Sequence, residues 1–317
     1  MLTSINEQVM NARHSLFVQA HTGNSRVKQL LGDVEMLARP VALALSTVIA
    51  LMVPQVHAGN GPSLKLWRLD CGVIQVDDLN DFSDTYAYTG RSKRLTASCY
   101  LIKHGDDYML WDTGLPKSDL GLPLQGKDSK RETLSASLAD QLGQLAVDPK
   151  KIALIGISHY HYDHTGQVDD FHSARLLLGR GDVQALRAPD NPEAKALAKA
   201  LAYWLNGPGK LDEVIGDRDV FGDGLVVMLD LPGHTPGHHG LLVKLSKLGY
   251  VVLSADVAHF RENYESDGLP RWNTDRAQSL ASLQRVKQIV RNLQATLVIQ
   301  HEVEDIEKLP KFPDAAE

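Results

Sequence analysis

The stretch SHYHYDHTGQ, Ser158 to Gln167, sets His159, His161, Asp163 and His164 within six positions. Imidazole and carboxylate are the ligands that zinc and similar first-row ions take. In extended backbone, residues two apart project to the same side, so His159 and His161 can reach one ion. Thr165 and Gly166 turn the chain just beyond, which lets Asp163 and His164 face a second ion. The other ligands must then come from distant parts of the chain. His234 sits in LPGHTPGHH, where Gly233, Pro236 and Gly237 make a tight loop that presents it. Asp256 follows VVLSA, and its two carboxylate oxygens suit a bridge between two ions. His301 closes the run LVIQ. This assigns His159, His161 and His234 to one ion, and Asp163, His164 and His301 to the other, with Asp256 shared. Of the remaining histidines, His104 and His172 read as solvated. His238 and His239 lie near His234, and His238 is a candidate for a supporting role.

The elements that must carry these residues alternate between strand and helix. LKLWRLDCGVIQV (64–76) and ASCYLIKHGDDYMLWDTG (97–114) read as strands, the second a hairpin turning at Gly105-Asp106-Asp107. Leu134, Leu138, Leu142 and Leu145 recur at helical spacing, and Pro192 to Leu205 suits a helix. TDRAQSLASLQRVKQIVRNL aligns Leu280, Leu283, Val286, Val290 and Leu293 on one stripe. Four apolar strands each end in a turn bearing His159, His234, Asp256 or His301. Strand ends in an α/β protein converge on one rim, where ligand sites form. One catalytic domain over residues 59–317 is the expected organisation.

Residues 1–58 differ from everything after them. From Met36, Arg39 is followed by an apolar run, Val41 to Val53, then Pro54 and the small-residue end Val56-His57-Ala58. A basic start, an apolar middle and a cleavable end describe a secretory signal peptide, with cleavage expected after Ala58 and a periplasmic or secreted product. The thirteen residues of this run rise about 20 Å as a helix against a hydrocarbon core of about 30 Å, so no stable membrane insertion is expected. Met36 is read as the physiological start. Removing residues 1–58 leaves 29 basic against 36 acidic residues, an acidic balance that argues against nucleic acid as a partner. Cys71 and Cys99 are too few for a disulfide scaffold and read as two buried thiols on neighbouring strands, a single disulfide being the alternative.

HYHYDH, PGHTPGH, Asp256 and the final His301 together resemble the H-x-H-x-D-H ligand set of the metallo-β-lactamase-fold hydrolases, and WDTG (111–114) resembles that superfamily's early D-T-G turn. The resemblance implies a four-layer αββα sandwich with two divalent metal ions, zinc foremost, at one edge of two facing sheets. The group that matches best is the N-acyl-homoserine lactonases, which LWRLDCGVIQVDDLNDFSD and ADVAHFRENYE are similar to. Metallo-β-lactamases proper usually carry a cysteine at the second site, whereas here Asp256 takes the bridging place. Glyoxalase II-like thioesterases need a C-terminal helical segment, and this chain has sixteen residues after His301. A broad-specificity lactonase or carboxylesterase is the alternative reading.

The implied chemistry is opening of a small-molecule lactone by water activated between the ions. Asp163 resembles the family's proton shuttle. Many members carry a tyrosine three residues after the bridging aspartate, aimed at the substrate carbonyl; His259 stands there in this chain, with Tyr264 as a substitute. Asp112 reads either as a turn residue or as the group that orients a ligand imidazole. Phe82, Leu115, Phe260, Tyr264 and Trp272 are candidates for an acyl-chain pocket. A homodimer would fit the family.

Overall fold

Strands buried on both faces read as continuous apolar runs, and the runs 152–157, 175–179 and 226–230 are of that kind. The computed structural model describes residues 62–124 and 131–317; the N-terminal extension 1–35 and the leader read over 36–58, with its cleavage point, lie outside the described residues. β1 (Leu64–Val76), β2 (Lys93–His104) and β3 (Asp107–Trp111) pair antiparallel, and the hairpin turns at Gly105-Asp106 as expected. β4 (Glu132–Thr133) lies on the β1 edge. β5 (Ile152–Ile157), β6 (Arg175–Gly179) and β7 (Leu211–Val214) continue in parallel, giving a sheet ordered β4-β1-β2-β3-β5-β6-β7. β8 (Arg218–Asp219), β9 (Val226–Asp230), β10 (His239–Leu245) and β11 (Gly249–Leu253) form an antiparallel meander, and β12 (Thr296–Val298) joins β11 in parallel.

Alternation along each strand sorts side chains into layers. Tyr100, Ile102, Met109, Trp111 and Leu177 of the first sheet meet Val226, Met228, Leu241, Val243 and Leu253 of the second, so the sheets pack face to face. Cys99, Leu101, Leu110, Ile155 and Leu176 point the other way, onto α1 (Leu138–Gln144), α3 (Arg180–Arg187) and α4 (Pro192–Ala200). The outer face of the second sheet packs Leu229, Val252 and Leu297 on Leu283 and Val286 of α7 (Arg276–Leu293). The order helix, sheet, sheet, helix is the expected αββα sandwich. Short helices complete it: α2 (Tyr162–Thr165), α5 (Ala202–Leu205), α6 (Arg261–Ser266) and α8 (Val303–Ile306). Among the described residues no helix is long and apolar enough to cross a membrane.

Three local expectations change. The helix expected from Leu134 begins at Leu138, because Ser137 and Asp140 close a capping box there. The helix expected over 192–205 divides at Leu201, whose φ of −97° and ψ of 7° leave the helical range. Cys71 and Cys99 do sit buried on neighbouring strands, but they are bonded to each other, with Cα atoms 5.8 Å apart. A bulge between Asp70 and Val73, formed at Gly72 with φ +121°, swings Cys71 toward Cys99.

Candidate metal centre

β5 stops two residues before His159, β9 four before His234, and β11 and β12 three before Asp256 and His301. The turns after these ends meet at one edge of the sandwich. His159 Nε2, His161 Nδ1 and His234 Nε2 lie 2.8, 3.0 and 3.1 Å from one another. Tetrahedral ligands at about 2.0–2.1 Å from a zinc ion stand about 3.3 Å apart, so this is close to a ligand triangle. Asp256 Oδ2 approaches His159 Nε2 at 3.7 Å and His234 Nε2 at 3.4 Å. Its other oxygen, Oδ1, lies 3.4 Å from His164 Nε2 and 3.1 Å from His301 Nε2. Asp163 Oδ2 sits 3.6 Å from each of those two nitrogens. Two clusters are thus joined through one carboxylate, in the grouping expected from the strand ends.

The far side of four of these rings, those of His159, His164, His234 and His301, is held. His164 Nδ1 donates to Asp112 Oδ2 at 2.9 Å, His301 Nδ1 to the Thr96 carbonyl at 2.6 Å, and His234 Nδ1 to Asn273 Oδ1 at 2.9 Å. Ser158 Oγ lies 3.1 Å from His159 Nδ1. Such partners fix ring orientation and tautomer in metal sites. Asp112 is both of the things the sequence left open: it occupies a left-handed turn at φ +59°, and it orients a ring. It also accepts from Ser158 N at 2.7 Å and Ser158 Oγ at 2.9 Å, tying the two sides of the site. Asn tolerates the same turn but sets an amide against these donors. Asp112→Asn is therefore expected to weaken ion binding about 10- to 100-fold, measured by competition with a coloured chelator. Unchanged affinity for both ions would remove Asp112 from this role.

Electrostatics point to a cation. Burial, with neighbouring imidazoles, holds His159 and His234 well below the usual histidine range, and burial brings His161 down to about 4. These rings are neutral at neutral pH, with lone pairs free. Burial also opposes a charge on His164, yet Asp256, Asp163 and Asp112 outweigh it and raise that group. The same carboxylates favour any positive charge in the space between. His164 Nε2 and Asp256 Oδ1 are buried there without a hydrogen-bond partner, as are both ring nitrogens of His259. Orphaned buried polar atoms are rare, and a metal ion is the partner these donor types share. His259 Nε2 lies 3.1 Å from Asp256 Oδ2, and Asp256, His259 and His301 form a further group of ligand type.

The clusters open into a cavity of about 690 Å³, lined by His161, Asp163, Asp256 and His259 among apolar residues. Of the five pocket candidates, Phe82 and Trp272 line it. Leu115 and Phe260 are fully buried in the core, and Tyr264 packs on the α7 layer under Lys287, so Tyr264 does not replace His259. The second wall was missed: Tyr160, Ala185, Ala188, Ala194 and Leu197, from the loop after β5 and from α3 and α4. His238 has a supporting place, its Nδ1 donating to the Leu231 carbonyl and its Nε2 accepting from Asp256 N at 2.9 Å. His172 is exposed as expected, although it pairs with Asp169 at 3.5 Å and stacks on Tyr203, whereas the His104 side chain is largely covered, paired with Asp223 and stacked on Phe221. Asn273, Ser158 and Thr96 carried no signal in the sequence, because an amide, a hydroxyl or a carbonyl beside a ring is ordinary until the chain folds.

Residues 93–301 match the family model of the metallo-beta-lactamase superfamily. An N-acyl homoserine lactonase of a Bacillus species is 26% identical over 223 residues, covering 68% of this chain and 85% of that one. A crystal structure of a quorum-quenching N-acyl homoserine lactone lactonase superposes with a TM-score of 0.67 at 24% identity, covering 80% of this chain and 98% of that one. An N-acyl homoserine lactone hydrolase, solved with the product N-hexanoyl-L-homoserine at its catalytic metal centre, superposes with a TM-score of 0.65 at 23% identity, covering 80% and 99%.

Proposed function

Because the chain belongs to the metallo-beta-lactamase superfamily of metal-dependent hydrolases, we propose that it binds two divalent ions, zinc foremost, and opens the lactone ring of N-acyl-homoserine lactones. The observation that carries the reading is Asp256, whose two oxygens each face one of two histidine clusters on the floor of an apolar-walled cavity. His159, His161 and His234 would hold one ion, and Asp163, His164 and His301 the other. A cavity of about 690 Å³ falls in the range of about 300–1,000 Å³ for small-ligand sites. The lactonase relatives support the choice of substrate over the other ester chemistries of the family.

Ions bound there supply a Lewis acid and bring the pKa of water from about 15.7 toward about 7. The chain's own residues do the rest. Water adds to the carbonyl carbon, the ring C–O bond breaks, and the departing ring oxygen takes up a proton. Asp163 lines the cavity and carries that proton from the attacking water to the ring oxygen. His259, also in the wall and with its Nε2 3.1 Å from Asp256 Oδ2, donates to the carbonyl oxygen as it gains charge. Losing one such donor costs about 10²–10³ in rate, so His259→Phe is expected to lower kcat/KM by roughly that factor with ion content unchanged. An unaltered kcat/KM would take His259 out of the reaction.

The leader pattern of residues 36–58 and the Cys71–Cys99 bond support a periplasmic or secreted place, since disulfides persist in oxidising compartments. The test of function is ion content by elemental analysis, with proton release on short- and long-chain acyl lactones beside an aryl ester, a cephalosporin and a glutathione thioester. Two ions and preferred lactone opening support the proposal. Two ions with an aryl ester preferred over every lactone would replace it by a broad carboxylesterase.

A further inference from the structure

The groups behind His159, His164, His234 and His301 explain how those rings are aimed, but not how the loops are held together. His159 and His161 follow β5 of the first sheet, and His234 follows β9 of the second. Yet His234 Nε2 sits 3.0 Å from His161 Nδ1. A third element spans the two loops. Asp182, the third residue of α3, is fully buried. Its Oδ2 accepts from Tyr160 N at 3.2 Å and from Thr235 Oγ1 at 3.0 Å, and its Oδ1 accepts from Gly237 N at 2.7 Å. One carboxylate therefore takes the backbone between two candidate ligands, and the residues just after the third.

Backbone packing reinforces the contact. A Cβ on Gly179 would lie 1.9 Å from the Gly237 oxygen, one on Gly181 2.4 Å from the Pro236 oxygen, and one on Gly237 2.4 Å from Asp182 N. Gly-Arg-Gly-Asp, 179–182, thus lies directly on Thr-Pro-Gly, 235–237, and three glycines make that approach sterically available. Burial pushes the Asp182 carboxyl up to about 7, and the hydrogen bonds from Thr235, Gly237 and Tyr160 oppose it.

We infer that Asp182 is a positioning residue for the three-histidine half of the centre, holding the 159–161 and 234–237 loops in register so that His159, His161 and His234 converge. The inference rests on the proposed metal reading. It assigns to Asp182 an effect on one ion and not on the other, because Asp163, His164 and His301 have none of its contacts.

The test uses the full chain, stripped of metal and titrated with zinc against a coloured chelator, with apo-protein melting measured alongside. Asp182→Asn keeps the volume but turns an amide N–H toward donors. One of the two binding steps should weaken about tenfold or more while the other stays within about twofold, as for the loss of a partner behind a ligand. Added to His161→Ala, the substitution should change little; added to His301→Ala, it should show its whole effect. Thr235→Val removes a single donor at constant size, and should weaken the same step about threefold if Asp182→Asn does not fold. Equal weakening of both steps, or a lower apo melting point with both steps intact, overturns the inference and leaves Asp182 as general scaffold. A wild-type chain that takes up fewer than two ions overturns the metal reading itself, and this inference with it.

Discussion

Asp256→Asn is expected to leave at most one tightly bound ion per chain and to lower kcat/KM on an acyl lactone by about 10³ or more. Among the described residues Asp256 is the carboxylate that faces both clusters, Oδ2 toward His159 and His234 and Oδ1 toward His164 and His301. An amide has one oxygen, so whichever way Asn turns, one cluster meets an N–H₂ group where an acceptor stood. The negative charge is lost as well. Burial works against ionising Asp256, and the rings of His301, His259, His164 and His159 overcome it and hold the carboxyl well below its usual range. The site is thus built around an anion, and the two divalent ions proposed above would need it more than imidazoles do. Lewis-acid stabilisation is worth several kcal/mol, and about 4 kcal/mol corresponds to about 10³ in rate. The backbone at Asp256 is held independently through His238, so the variant should keep its fold. Elemental analysis and steady-state kinetics read both effects; two ions and a rate within tenfold of wild type would contradict a bridging role.

Replacing both cysteines, Cys71→Ala with Cys99→Ala, is expected to cost about 3–4 kcal/mol of stability. The two are 28 residues apart, and the chain-entropy relation for a loop of that size gives about 3.6 kcal/mol. In a domain of this size that lowers Tm by roughly 10 °C. Both residues are fully buried, so alanine adds no polar group to the core. The bond also bears on the site. A Cβ on Gly114 would lie 2.4 Å from Cys71 Cβ, and Leu115 N donates to the Cys71 carbonyl at 3.0 Å, so the cross-link presses on the turn that carries Asp112. Calorimetry of the wild type with and without reductant, beside the double variant, measures the loss, and a thiol assay on unfolded protein tests the bond directly. Two free thiols in protein isolated from its native compartment would contradict both the bond and the proposed oxidising location.

Chemistry crowded into a few positions was legible without a fold. His159, His161, Asp163 and His164 declare themselves by density, and His234, Asp256 and His301 by standing where apolar runs stop. β1 and the β2–β3 hairpin were legible for a similar reason, since alternation and a Gly-Asp turn are local properties. Other features needed the tertiary structure because they join residues far apart in the chain. Asp112 and His164 are 52 positions apart, His234 and Asn273 39, and His301 and Thr96 205. The cavity wall from α3 and α4 is mostly alanine, whose meaning lies in the space it leaves. Asp182 carried no signal in the sequence, and only the packing of Gly179, Gly181 and Gly237 brings its carboxylate to two loops from different sheets. The ligand types and their order along the chain are thus properties of the sequence, because metal affinity is set by donor chemistry. Which atoms face inward, and what holds them there, is decided by folding, because orientation comes from contacts that no local pattern encodes.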